Sequence, residues 1–128
     1  NETIHWSRPY KVDIDITIDL IVDDTYIGDT EIRQLIVEYI GGTELDGSFT
    51  PGLTAGEDVY EAVLKQEIVS PLETGVWEVD SLMLDTNQDG TDDTTAIGSG
   101  ADVLEIADSE IARVNARDGS ITINTVTK

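Results

Sequence analysis

The chain has 128 residues, and its 7 Lys and Arg stand against 27 Asp and Glu, which gives a formal net charge of −20 at pH 7. Because binding to phosphate backbones requires clustered Lys and Arg, this balance argues against a nucleic-acid partner and an acidic membrane surface. The length and the 39% hydrophobic content suit one domain with a single core. Without cysteine, neither a disulfide nor a thiolate metal site can form.

The acidic residues are spread along the whole chain, and Lys occurs only three times. At molar ionic strength the Debye length falls to about 3 Å, so salt screens the self-repulsion of such a surface. We therefore expect a halophilic source, the alternative being an ordinary acidic surface. The apolar runs are only a few residues long, which predicts no membrane insertion. The chain begins with Asn1, and we expect it to be a piece of a larger protein.

The first predicted element is a strand from Val12 to Leu20, in which apolar and polar residues alternate strictly. This pattern is typical of a strand with one buried face. The inner face would carry Val12, Ile14, Ile16, Ile18 and Leu20, and the outer face would carry Asp13, Asp15, Thr17 and Asp19. A solvated outer face explains these aspartates better than a ligand site does.

A helix is predicted next, with Asp29 or Thr30 as its N-cap and Glu31 in its first turn. Gly41 and Gly42 would end it. One apolar stripe at helical spacing supports this prediction: Ile32, Leu35, Ile36, Tyr39 and Ile40.

A second helix is predicted to begin near Glu57 and to end before Pro71. Thr54 and Glu57 have the spacing of a capping box. The apolar face of this helix would consist of Val59, Tyr60, Val63, Leu64 and Ile68.

Three further strands are predicted at Gly75 to Thr86, Ala101 to Ile106 and Ser120 to Thr127, the last with Ile121 and Ile123 inward. The element order is then β-α-α-β-β-β. We expect a single α+β domain over residues 1–128, a small mixed sheet of about four strands with two helices packed on one face.

One dense motif could bind a metal ion. From Asp85 to Asp93 the sequence matches the first nine positions of an EF-hand-type calcium loop, with Gly90 at position 6. The predicted ligands are Asp85, Asn87, Asp89, the main-chain carbonyl of Thr91, and Asp93. Position 12 is Ala96, so the bidentate Glu is missing. Structural Ca²⁺ and an Asx-rich hairpin loop without metal both remain open for this segment.

Residues for catalysis are sparse. The single histidine, His5, lies near the terminus, and the serines lack the spacing of a nucleophile elbow. Gly98-Ser99-Gly100 is a bare G-x-G that favours a turn over a phosphate site. Trp6 and Trp77 could anchor an interface or fill the core. We therefore expect no enzymatic activity, no catalytic residues and no cofactor besides the candidate Ca²⁺.

Four short segments between Trp6 and Val126 carry a family resemblance. Trp6-Ser7-Arg8-Pro9 leads into the alternating strand, and the predicted helix from Asp29 to Ile40 is followed by Gly41. Gly56-Glu57-Asp58-Val59 precedes a helix and then Gly75-Val76, and Glu110-Ile111-Ala112 precedes the closing strand. In order and spacing these segments resemble the C-terminal domain of baseplate J-like proteins, wedge components of contractile phage tails and related injection machines.

The resemblance implies a structural, non-enzymatic role in which the domain packs against neighbouring wedge subunits to form the baseplate ring. Its partners would be other baseplate or tail subunits, and it would be oligomeric in the assembled particle. Its location would be a virion tail baseplate or an extracellular injection particle assembled in the host cytoplasm. The Asp-rich loop is not associated with the family, so it supports a different hypothesis, a calcium-stabilised extracellular surface or adhesion domain.

Overall fold

The computed structural model describes residues 10–86, 95–96, 102–117 and 120–128. It contains two helices, α1 (Asp29–Ile40) and α2 (Glu61–Ile68). The strands are β1 (Tyr10–Asp13), β2 (Asp15–Val22), β3 (Gly42–Thr43), β4 (Phe49–Thr50), β5 (Val59–Tyr60), β6 (Val76–Asp85), β7 (Thr95–Ala96), β8 (Asp102–Leu104), β9 (Glu110–Asn115) and β10 (Ile121–Thr127). The predicted α+β class is confirmed.

The centre of the fold is the extended segment formed by β1 and β2, which are separated only by Ile14. The backbone N–H groups of Ile14 and Ile16 donate to the carbonyls of Arg113 and Ser120, at 3.0 and 2.8 Å. Because residues two apart in a strand face the same edge, β9 and β10 both lie along one edge of this segment. Both run parallel to it.

The opposite edge of β2 pairs with β6, which runs antiparallel and has two register shifts. The strand orders are therefore β10-β2-β6 in one sheet and β1-β9-β3-β4 in the next, joined through the β1–β2 segment. A third small sheet has the order β5-β8-β7.

The core lies between the inner row of β2 and the two helices. The predicted inner residues Ile14, Ile16, Ile18 and Leu20 are at most 1% exposed. The helices contribute Ile32, Ile36, Val37, Ile40, Leu64 and Ile68, all fully buried. At about 25 cal/mol per Å² of apolar surface, burial of this kind is the main stabilising term of the fold. The two described helices pack on the inner row of β2, and the residues of its outer row remain partly exposed.

The start of α1 differs from the prediction. Gly28 occupies the N-cap position and makes no side-chain cap, so neither Asp29 nor Thr30 is the N-cap residue. Asp29 lies in the first turn, where its carboxylate accepts a hydrogen bond from the Tyr26 hydroxyl at 2.6 Å. A negative charge at this end still complements the helix dipole. The end of the helix at Gly41 is as predicted.

The start of α2 was also predicted wrongly, since the helix begins at Glu61 and not near Glu57. The predicted contact between the Thr54 hydroxyl and the Glu57 carboxylate forms, but it closes a turn that precedes β5. Val59 and Tyr60 instead pair with β8. Cross-strand pairing here overrides the helical spacing of these residues.

The predicted strand at Gly75 to Thr86 corresponds to β6, that at Ala101 to Ile106 to β8, and that at Ser120 to Thr127 to β10. The structure adds three short strands between the helices, the short strand β7 after β6, and one longer strand, β9. Its buried residues are Ala112 and Val114, small side chains that gave little signal in the sequence.

Candidate interaction surface

The predicted calcium ligands fall mostly outside the described residues, which exclude Asn87, Asp89, Thr91 and Asp93. Asp85 is the last residue of β6 and is only 3% exposed. It lies directly opposite Asp15 in the ladder between β6 and β2. Adjacent carboxylates are the oxygen ligands that Ca²⁺ prefers.

The outer face of the three-stranded sheet is exposed around Asp19, where it carries a polar cluster, whereas Asp85 at the far end of the same face is buried. The Asp19 carboxylate accepts hydrogen bonds from the Ser81 hydroxyl at 2.6 Å and from the Asn124 amide at 2.9 Å. These two hydrogen bonds lower the pKa of Asp19, chiefly the one from Ser81. The central strand therefore presents an ionised carboxylate held by a neighbour on each side.

Trp77 lies on the same open face and is 45% exposed, so it is a surface residue and does not fill the core. Its indole N–H donates to Asp23 at 2.7 Å, and the Lys128 ammonium lies 3.7 Å from the ring centroid. Hydrogen bonds from Thr25 and then Trp77 lower the pKa of Asp23. The indole is thus held in place by contacts on its edge and on its face. Trp6 lies outside the described residues.

A second surface feature is a groove of about 460 Å³ beside the start of α2. Tyr39 lines it and accepts a hydrogen bond from the Tyr60 backbone N–H at 3.1 Å, and burial is the main cause of the raised pKa of Tyr39. Hydrogen bonds from Thr54 lower the pKa of the Glu57 carboxyl, which also lines the groove. Aromatic rings beside an ionised carboxylate suit a cationic side chain.

The candidate reactive groups do not assemble into a site that the structure describes. His5 and the Gly98 to Gly100 turn lie outside the described ranges. Within those ranges, no group of three or more His, Cys, Asp or Glu side chains is arranged to hold a metal ion. None of the helices in the described part of the chain is long and apolar enough to cross a membrane.

Sequence reasoning missed the role of Arg113, which lies on β9. Its guanidinium donates to the carbonyls of Ala112 at 2.8 Å, Leu53 at 2.9 Å and Ile40 at 3.4 Å. It also lies 5.3 Å from the ring centroid of Phe49. Desolvation lowers the pKa of this group. Arg113 ties β9 to the end of α1 and to the following loop, and it is a structural cation.

Comparison with known proteins gives no relative: no protein-family model matches the chain, and no curated protein or solved structure shows significant similarity to it.

Proposed function

We propose that the domain is a non-enzymatic structural module of a phage-tail-like baseplate, which packs against neighbouring wedge subunits through its open sheet. The observation that carries this proposal is the exposed part of the outer face of the β10-β2-β6 sheet, around Asp19 and Trp77. On that face Trp77 and Val126 are 45% and 66% exposed. Exposed aromatic and aliphatic residues among ordered polar groups are typical of protein interfaces. The four segments that resemble baseplate J-like proteins support the same role.

The test is assembly of the full-length protein with the products of its neighbouring genes, with rings counted by electron microscopy. Trp77→Ser should abolish incorporation, because it removes the exposed aromatic group from the open face. Leu72→Ser is the matched control, since Leu72 is 99% exposed on the turn after α2, and this variant should assemble normally. If Trp77→Ser assembles as well as Leu72→Ser, the open face is not the contact surface.

A turnover abolished by changing His5 or one specific carboxylate would overturn the non-enzymatic assignment.

We further propose a salt-rich source, and this proposal predicts that salt stabilises the domain. The unfolding midpoint should rise by roughly 5–10 °C, about 2 kcal/mol, between low salt and molar KCl, because screening relieves the self-repulsion of a −20 domain. Thermal melts followed by circular dichroism would measure it.

A charge-reduced variant separates screening from general salting-out. Neutralising four exposed carboxylates to Asn or Gln, at Asp24, Glu73, Glu78 and Asp80, should reduce the rise. A midpoint that stays flat or falls with KCl in the unmodified protein would contradict the salt-rich source.

The second candidate function is a calcium-stabilised extracellular surface or adhesion domain. The position of Asp85 opposite Asp15 favours it, because two adjacent carboxylates at the start of the Asp-rich loop are ligands of the kind that Ca²⁺ prefers. Ca²⁺ would be held by Asp85, Asn87, Asp89, the Thr91 carbonyl and Asp93.

Isothermal calorimetry on chelator-treated protein should show Ca²⁺ binding that Asp89→Ala abolishes, because the loop then loses a charged ligand. Asp24→Ala is the control, since Asp24 is exposed and distant in sequence from the loop, and its isotherm should match that of the unmodified protein. An isotherm without heat, or one that Asp89→Ala leaves unchanged, rules out this site.

A further inference from the structure

Among the described residues, no strand pairs with the outer edge of β10, which is therefore an open sheet edge in this part of the chain. It is the outermost strand of the β10-β2-β6 sheet and pairs with β2 over seven consecutive residues without a register shift. Ser120 accepts from Ile16, and the Lys128 N–H donates to Val22. Even-numbered residues of β10 therefore face β2, and the backbone groups of Ile121, Ile123, Thr125 and Thr127 face outward.

Only the first of these outward positions has a described partner. The Arg33 guanidinium donates to the Ile121 carbonyl at 3.3 Å, so this end of the edge is already occupied. Beyond it, Ile123 is half-buried, whereas Thr125 and Thr127 are exposed. An incoming strand would thus begin its pairing at Ile123 and extend along the outward N–H and C=O groups that follow.

The composition of β10 differs from that of the other sheet ends in the described part of the chain. Natural edge strands are protected by charges, proline, bulges or short length. β6 has two register shifts and carries Glu78 and Asp80, while β4, β5 and β7 have two residues each. β10 has the sequence ITINTVT, without charge or proline, in a chain in which 27% of the residues are charged. It lacks the usual protection against pairing.

We propose that β10 binds an extended, basic segment of a neighbouring protein, which adds to the sheet as a fourth strand beside β10. This inference rests on the assembly role proposed above and names the partner's chemistry. The outward backbone groups require a strand, and the half-buried Ile123 favours apolar residues on the inner side of that strand. Lys or Arg on its outer side would face a domain of charge −20, and on that face the Asp19 carboxylate accepts a hydrogen bond from Asn124 of β10. The same net charge disfavours a second copy of this chain as the occupant.

The probe is a nine-residue synthetic peptide of alternating Val and Lys, acetylated and amidated at its ends, with binding measured by fluorescence anisotropy near physiological salt. Replacing its two central Val residues with Pro keeps the charge but prevents strand pairing, and should weaken binding about tenfold or more. A peptide with Glu in place of Lys should not bind. Equal binding of the Val and Pro peptides would indicate charge attraction alone and overturn the proposal.

On the protein side, Thr125→Pro removes one outward N–H without touching the bonds to β2, and should also weaken binding about tenfold. Thr125→Val keeps the backbone donor and should stay within about twofold. If Thr125→Pro does not fold, Thr127→Pro provides the same test nearer the end of the strand. Unchanged affinity in the folded proline variant overturns the proposal.

Sedimentation of the unmodified protein gives an independent check on the occupant. We expect a monomer at low salt, and a dimer that Thr125→Pro dissociates would identify a second copy as the occupant and refute the basic partner. Failure of the strand-binding proposal is distinguishable from failure of the assembly role. The domain can still be incorporated into rings, and lose incorporation in Trp77→Ser, when the peptide does not bind.

Discussion

Replacing Gly42 with Ala should remove roughly 4 kcal/mol or more of the free energy of unfolding. Gly42 lies in β3 directly opposite Val114 of β9, at a φ of +149°. A Cβ atom there would lie 1.8 Å from the Val114 carbonyl oxygen, which belongs to the backbone and cannot rotate away. The pairing of β3 with β9 would have to open, and β9 is the strand that continues the sheet from β1. Urea denaturation would measure the loss.

Gly28→Ala is the matched control for this substitution. Gly28 also has a positive φ, +108°, but nothing lies within 4 Å of a Cβ atom built on it. Gly28→Ala should therefore be destabilised only by the strain of an alanine at this positive φ, about 1–2 kcal/mol of the free energy of unfolding. If the two variants were equally stable, β3 would not lie against β9 as described.

The elements that could be predicted from sequence are those whose signals are local. For α1, the apolar stripe from Ile32 to Ile40 and the glycine at its end agree, and only the N-cap residue was wrong. In the β1–β2 segment, strict alternation predicted which residues are buried. In both cases the periodicity arises from one continuous hydrophobic face, which the sequence shows directly.

The elements that could not be predicted depend on partners distant in the chain. Val59 and Tyr60 have helical spacing with Val63 and Leu64, yet they pair with β8, and the Asp58 carboxylate accepts the Ile106 N–H at 2.8 Å. The open edge of β10 likewise depends on residues that are distant in the chain. Alternation of Ile121 and Ile123 predicts a strand, but whether that strand has one neighbour or two depends on the topology.

Among the residues of interest, Arg113 shows most clearly that contacts between distant parts of the chain cannot be predicted from local sequence patterns. A cation in a chain of 27 carboxylates would be expected to pair with an acid. In the described part of the chain, its guanidinium instead donates hydrogen bonds to the backbone carbonyls of neighbouring Ala112 and of the remote Leu53 and Ile40. No spacing in the sequence brings these carbonyls together. They meet because the end of α1, the following loop and β9 converge beside Gly41.

Arg113→Met should lower the free energy of unfolding by about 3 kcal/mol. The methionine keeps much of the apolar stem, but it leaves partly buried carbonyls without their charged donor, which costs about 1–3 kcal/mol per group. Arg117→Met is the matched control, because it changes the net charge equally at an exposed residue and should cost less than about 0.5 kcal/mol. Chemical denaturation of both variants at one ionic strength gives the comparison, since the shared charge change cancels. A deficit in Arg113→Met that disappears in molar KCl would trace the effect to charge repulsion. A stability deficit that persists in molar KCl would show that the loss comes from the hydrogen bonds that join β9 to the end of α1.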